Sequence, residues 1–273
     1  MKTRILTALL LFPPAIYLIG WSPLWLFLLV LLLLVGLALH EYFVLCRASG
    51  YRVLSALGYA GAGGVCLAEA HAARGGSHLT FAVLAVFLLL LLSVALFQVT
   101  ELRDYLGAVS STAFGVFYVG LPLSFLIPIR FKDPVIGFHW IFVLFLVIWA
   151  GDIFAYFIGR TVGRHLLFPS ASPKKTWEGA IAGFAGSLLA AGAYTHWIWQ
   201  TADLAIVLIL AGLIAIVGQV GDLAESAMKR GAGVKDSGGI LPGHGGVLDR
   251  IDALLFGSAV LWLVLRLMEL GIW

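Results

Sequence analysis

Nine stretches of this 273-residue chain are apolar over a length that matches a lipid bilayer. They run 5–20, 24–45, 53–72, 79–98, 107–129, 138–158, 179–198, 203–228 and 250–270. Crossing a hydrocarbon core as helix takes about 20 such residues, and a backbone in lipid must satisfy its own hydrogen bonds. The unbroken length of the runs excludes a membrane β-barrel, whose strands alternate over roughly ten residues. Composition agrees: 62% of residues are apolar and 11% charged, against about 25% charged in soluble domains. The chain reads as an all-α polytopic membrane protein with about nine transmembrane helices, one integral domain over 1–273 with N-terminal helices in 1–130. The part 131–273 holds two charged loops, 160–178 and 229–250.

Lys2 and Arg4 precede the first run, which contains Pro13-Pro14 and lacks a small-residue cleavage pattern. It reads as a retained, kinked first helix rather than a signal peptide. The third run is rich in glycine (Gly58, Gly61, Gly63, Gly64), which suits close helix packing. Cys46 and Cys66 have no metal or disulfide spacing and read as small apolar fillers. Charge sets the expected topology. With nine spans and a cytoplasmic N-terminus, Lys2, Arg4, Arg47, Arg52, Arg103, Arg160, Arg164, Lys174, Lys175, Lys229, Arg230, Lys235 and Arg250 lie inside, 13 of the 17 Lys and Arg. Arg74, Arg130, Lys132 and Arg266 remain outside. That split follows the positive-inside rule and puts both charged loops on the cytoplasmic side, in reach of soluble metabolites.

The densest charge lies in Gly221–Asp252, between two apolar runs. It holds Asp222, Glu225, Asp236, Asp249 and Asp252 with Lys229, Arg230, Lys235 and Arg250. A helix continued to Lys229 places Asp222, Glu225, Ser226 and Lys229 on one side. Such a face suits a cation and a phosphate, and equally a helix end emerging into water. Seven glycines between Gly231 and Gly246, with Pro242, exclude a regular helix there. Glycines let backbone N–H groups approach an anion, with Lys235, Asp236 and His244 at hand, although a flexible connector explains the composition as well. The P-loop pattern is absent. Asp249 and Asp252 sit one turn apart at a helix start. Two such carboxylates favour a hard divalent ion, and either alone suits the helix dipole.

A second group lies around the sixth run. Asp152 is an acid inside an apolar run, a functional candidate by position, with Tyr156 and Arg160 following at helical spacing. Ser172, Lys174, Lys175 and Thr176 then offer hydroxyls and cations to a phosphate; the competing reading is an interfacial anchor with Trp177 as a belt aromatic. His40-Glu41 reads as a structural polar pair at the inner end of the second run. His71, His78, His139, His165 and His196 form no metal-ligand pattern.

Ser226-x-Met228-Lys229-Arg230, Lys235-Asp236, Gly238, Leu241-Pro242, His244-Gly245-Gly246 and Asp249-Arg250-x-Asp252 together resemble the signature of the phosphatidate cytidylyltransferase (CDP-diacylglycerol synthase) family. The match runs through Ser226–Asp252 without departure. The sixth-run motif, SPKKTWEG and the opening RILTALLLFPP are also similar to this family. The resemblance implies that 131–273 are catalytic helices and that CTP and phosphatidate give CDP-diacylglycerol and pyrophosphate. It implies Mg²⁺, a second monovalent cation such as K⁺, a homodimer, and an inner (cytoplasmic) membrane location with the site facing the cytoplasm. No nucleic acid is expected. The metal role falls to Asp222 and Asp249 and with less weight to Asp252. Catalytic contacts fall to Lys229, Arg230, Lys235, Asp236, His244 and Arg250. Substrate contacts fall to Ser172, Lys174, Lys175, Thr176, Ser226, Gly245 and Gly246, with Asp152, Tyr156, Arg160 and Glu225 as further candidates.

The chemistry is consistent with those residue types. A phosphate monoester is already an oxygen nucleophile near neutral pH, its second pKa being about 6, so no strong base is required. The difficulty is bringing two polyanions together, which cations and a metal relieve. Competing readings are a CTP-dependent polyprenol or phytol kinase, which releases CDP, a membrane transporter, and a non-catalytic scaffold. A CDP-alcohol phosphotransferase lacks its DGxxAR-type motif here.

Overall fold

In the computed structural model, residues 13–239 and 245–272 are described. Six helical segments among them are long and apolar enough to cross a membrane: Leu24–Ala48, Thr80–Gln98, Leu102–Phe131, Pro134–Val162, Leu204–Gly231 and Leu248–Glu269. The protein is thus a helical, multi-pass membrane protein. In chain order the helices are α1 (Leu24–Ala48), α2 (Ser55–Ala73), α3 (Thr80–Gln98), α4 (Leu102–Gly115), α5 (Leu121–Ser124), α6 (Leu126–Phe131), α7 (Pro134–Val162), α8 (Trp177–Trp197), α9 (Leu204–Gly231) and α10 (Leu248–Glu269). A π-helical turn, Val116–Gly120, joins α4 to α5. Of the run 5–20, residues 13–20 are helical and the rest lies outside the described residues. The runs 53–72 and 179–198 are helices α2 and α8, but both are diluted by glycine and alanine and fall outside the set of six.

The chain divides into two compact units. One comprises the described residues of Met1–Lys132 and Lys229–Arg250; the other comprises those of Asp133–Met228 and Ile251–Trp273. The second charged loop therefore groups with the N-terminal helices.

In the first unit, α2 packs through its glycines. A methyl group on Gly61 would lie 2.5 Å from the Phe87 ring of α3, and one on Gly58 would strike the Phe43 ring of α1. The large aromatics thus fill space that α2 leaves open, and Gly63 alone of its four glycines faces no neighbour. Leu39, Phe43, Leu91, Leu123 and Ile127 are fully buried there. Arg130 is also buried. Its Nε donates to Ile19 O at 2.7 Å and its Nη2 to Gly20 O at 2.5 Å, satisfying carbonyls at a helix end that have no intrahelical partner. Cys46 and Cys66 are buried free thiols, as fillers should be.

In the second unit, α7 and α8 approach to backbone contact. A methyl on Gly179 would lie 2.9 Å from Ala155 O, and one on Gly183 2.9 Å from Gly151 O. Small residues at this spacing let helices meet where lipid offers no hydrophobic drive to associate. Ser187 Oγ, fully buried, donates to Val147 O at 2.7 Å across the same seam. Gly257 of α10 faces Leu144 of α7 and Ile214 of α9, which places the unit's core among these three helices.

The expectation of a loop over 160–178 in a purely helical fold is corrected. The helix α7 persists to Val162, and an antiparallel pair follows, β1 (Leu166–Phe168) with β2 (Ser172–Thr176). Leu166 pairs with Thr176 and Phe168 with Ser172. Pro173 lacks an N–H and favours extended backbone before it, so the segment pairs as strands once its ends are pinned. The pins are short. Thr176 caps α8 by accepting from Gly179 N at 3.2 Å, and Trp177 N donates to His165 O at 2.9 Å.

Candidate active site

In the first unit the charged segment is organised around two carboxylates. Asp249, in the first turn of α10, accepts on Oδ1 from Lys229 Nζ at 2.5 Å. Its Oδ2 accepts from Gly246 N at 2.8 Å and from Ser237 N at 3.1 Å. Both partners of the ion pair are largely buried, with side chains 11% and 9% exposed. The helix α9 continues to Gly231, and this delivers Lys229 to Asp249. Gly245 has φ +79°, and a methyl there would lie 2.8 Å from Asp249 Oδ2. Glycine is thus required at this position by backbone conformation and by space.

The second carboxylate is Glu41 of α1, which is 2% exposed. It accepts from Ser237 Oγ at 2.9 Å, Val247 N at 3.0 Å and Leu248 N at 2.8 Å. The sequence reads His40-Glu41 as a structural polar pair, and the contacts of Glu41 fit that reading. As an acid in an apolar helix, Glu41 also meets the criterion that singles out Asp152.

Around these anchors, Arg230, Lys235, Asp236 and Arg250 are exposed. Arg230 donates to Val234 O at 2.9 Å, closing the turn after α9. His244 lies outside the described residues. The described flanks of the glycine-rich segment, Ser237 and Gly246–Leu248, are thus braced by two carboxylates and bordered by cations, a setting suited to a polyphosphate.

The second unit gathers other candidates. Lys175 forms an ion pair with Asp222, so the hairpin strand β2 is tied to α9. Asp222, Glu225 and Asp152 all act electrostatically on Asp252. Glu225 is fully buried and Ser226 nearly so. Lys174 is exposed on the hairpin. Arg160 donates to Tyr156 Oη at 2.9 Å on the exposed side of α7. Thr176 is buried in the cap of α8, and Ser172 sits in the strand pairing; for both, the visible contacts are structural. Glu178 accepts from His165 Nδ1 at 2.6 Å and from the Arg164 and His165 backbone N–H groups at 3.2 and 3.3 Å. The His165 ring, then the backbone N–H of Glu178 itself and those of Arg164 and His165, pull its carboxyl down to about 2.

Among the described residues, no three His, Cys, Asp or Glu side chains converge as a metal cluster. The donor chemistry of the second unit nevertheless fits a hard cation, because Asp222 and Asp252 are carboxylates within electrostatic reach of each other. Like charges brought together favour a neutralising ion. Asp249 presents a different picture, with both oxygens engaged by protein donors.

The family model described as Cytidylyltransferase family matches residues 2–268. The chain belongs to the cytidylyltransferase family. Relatives named phosphatidate cytidylyltransferase include one from Brucella abortus biovar 1 (strain 9-941), 47% identical over 156 residues, 55% of each chain. One from Bacillus subtilis (strain 168) is 40% identical over 199 residues, 71% of each chain. One from Staphylococcus aureus (strain COL) is 43% identical over 141 residues, 52% of this chain and 53% of the relative. The chain thus spans about half the length of the Brucella relative it matches. For this cytidylyltransferase-family chain, the stretch Ser226–Asp252 includes the braced residues Ser237 and Gly246–Leu248 of the first unit.

Proposed function

We propose that the protein transfers the cytidylyl group of CTP to phosphatidate, giving CDP-diacylglycerol and pyrophosphate for phospholipid synthesis. The observation that carries this reading is the 40–47% identity to proteins named for that reaction. The braced, cation-bordered flanks of the glycine-rich segment support it. In the proposed step, an oxygen of the phosphatidate phosphate attacks the α-phosphorus of CTP. The new P–O bond forms as the bond to the β-phosphate oxygen breaks, and pyrophosphate leaves with that electron pair. Lys229, Arg230, Lys235 and Arg250 are proposed to take phosphate oxygens, with Asp236, His244, Gly245 and Gly246 along the same segment. Lys229 has two states available in this scheme, on Asp249 as observed or on phosphate.

Asp222 and Asp252 are the carboxylates proposed to hold Mg²⁺, which when bound neutralises phosphate charge; a monovalent cation such as K⁺ is proposed beside it. Asp249 is proposed to share the metal role, besides bracing Ser237 and Gly246. Lys174, with Ser172, Lys175, Thr176 and Ser226, is proposed to meet the lipid phosphate at headgroup depth. Asp152, Tyr156, Arg160 and Glu225 are proposed to border that region. The proposed setting is nine spans in the inner membrane, N-terminus and site facing the cytoplasm, in a homodimer. Labelling of single cysteines at positions 74 and 174 in sealed vesicles tests the orientation, and the mass of the solubilised particle tests the dimer.

The deciding experiment is pyrophosphate release by the purified protein in micelles with CTP, phosphatidate and Mg²⁺, each omitted in turn. CDP-diacylglycerol formed only in the complete mixture is the expected result. CDP release with a phosphorylated lipid alcohol would instead make the protein a kinase.

A further inference from the structure

We infer that Glu41 is a positioning residue for the reaction, holding together the two flanks of the glycine-rich segment, Ser237 and Val247–Leu248, from a helix that contributes nothing to the signature. This rests on the cytidylyl transfer proposed above. The geometry is confined to the first unit. Glu41 reaches from α1 to both flanks of the segment, accepting from Ser237 Oγ on one side and from Val247 N and Leu248 N on the other. Leu248 opens α10, and the first N–H groups of a helix have no intrahelical acceptor. The carboxylate supplies that acceptor and lies at the positive end of the dipole.

Two signature glycines fit around it. A methyl on Gly238 would strike Glu41 Oε1, and one on Gly246 would strike both Ser237 Oγ and Glu41 Oε2. By composition alone these glycines suit backbone approach to an anion. The structure gives them a nearer reason, since the Glu41 carboxylate is seated against both. Asp249 holds the same strip of backbone by its neighbouring amides, Ser237 N and Gly246 N. The two acids therefore share these flanks between them, Asp249 with Lys229 attached and Glu41 without it.

All three contacts to Glu41 come from donors, so an acceptor-only group is required at both oxygens. Gln keeps one acceptor oxygen and puts an NH₂ against donors at the other. Asp is one methylene short. Neither is a conservative replacement, and a misplacement of about 1 Å at a reacting site costs on the order of 10²-fold in rate.

The test uses the full chain in micelles. Glu41→Gln, Glu41→Asp and Glu41→Ala are compared with Glu69→Gln. Glu69 is another buried acid of the same unit, on α2, and accepts from Thr80 Oγ1 at 2.6 Å. Hydrogen exchange is followed at the Val247 and Leu248 amides, and kinetics with CTP and phosphatidate varied separately. The expected result is faster exchange at those amides in the Glu41 variants and a fall in kcat/KM for CTP of about 10²-fold, with KM for phosphatidate unchanged within about twofold. Glu69→Gln should lower the unfolding midpoint without either effect. A mutant cycle adds a second reading. Gly246→Ala should be damaging alone and should add little in a background carrying both Glu41→Ala and Ser237→Ala, because both groups that the methyl would strike are then gone.

Unchanged exchange at Val247 and Leu248 would overturn the inference, as would loosened exchange with kcat/KM for CTP retained. Equal loss in Glu69→Gln would also overturn it, by reducing the effect to general destabilisation. If Glu41→Ala does not fold, Glu41→Gln and Ser237→Ala carry the same comparison. Absence of CDP-diacylglycerol synthesis in the wild-type protein would remove the proposed reaction, whereas the exchange data would still judge the contact itself.

Discussion

Replacing Asp249 with Asn should damage the protein in a way that replacing Lys229 as well partly repairs. Asp249 accepts from one ammonium and two backbone N–H groups at 2.5, 2.8 and 3.1 Å. The pair is about nine-tenths buried on each side, so solvent screens it little. Asn removes the negative charge facing Lys229 and turns an NH₂ toward a donor. Removing one partner of a buried pair costs about 3–5 kcal/mol, whereas replacing both by uncharged groups of similar size is often neutral. Asp249→Asn should therefore destabilise by about 3 kcal/mol or more, and Lys229→Met by less, because Asp249 keeps its two backbone donors. The double variant should lie below the sum by about 1.5–3 kcal/mol. Unfolding midpoints and slopes in mixed micelles measure all four proteins. Activity should be lost in all three variants, including the double one whose stability returns. Additive stabilities, within about 0.5 kcal/mol, would refute the paired arrangement. A double variant that regained activity along with stability would show that these residues serve only the fold.

Gly183→Val should overpack the seam of α7 and α8, because even a methyl there meets Gly151 O at 2.9 Å; a loss of about 1–3 kcal/mol is expected in thermal unfolding, and Gly63→Ala, which meets nothing, is the control. Glu178 has its carboxyl held down to about 2 by the His165 ring and the backbone N–H groups of Glu178, Arg164 and His165. A depressed folded-state value contributes stability that is complete above the unfolded value near 4.5 and lost as pH falls through about 2. Protection of the His165 and Trp177 amides should therefore fall across that window, and His165→Ala should move the carboxyl titration, read by NMR, back toward the usual carboxylate range. Lys174→Ala should raise KM for phosphatidate while leaving KM for CTP unchanged; a rise for CTP alone would place Lys174 elsewhere. Chelation of Mg²⁺ should abolish turnover without lowering far-ultraviolet helicity, and added Mg²⁺ should restore it.

Much of the fold is legible in residue order because the signal is local. A run such as Leu24–Leu45 is apolar for membrane length wherever it packs, and the helices at eight of the nine expected runs follow from that. The glycines of α2 predicted close packing, since a missing Cβ has the same meaning in any neighbourhood. The signature from Ser226 to Asp252 was equally visible as a string. The hairpin at 166–176 was not, because strands this short pair only when their ends are fixed, here by Thr176, His165 and Glu178. Glu41 was not legible either. Its partners lie 196 and more residues away, and an acid in an apolar helix carries no mark of which distant amides it will meet. Sequence alone determined a helical membrane protein with a charged, glycine-rich segment. Only tertiary structure decided that two carboxylates, one of them from α1, hold that segment, because hydrogen bonds depend on where chains meet in space, whereas hydrophobic length depends on the chain itself.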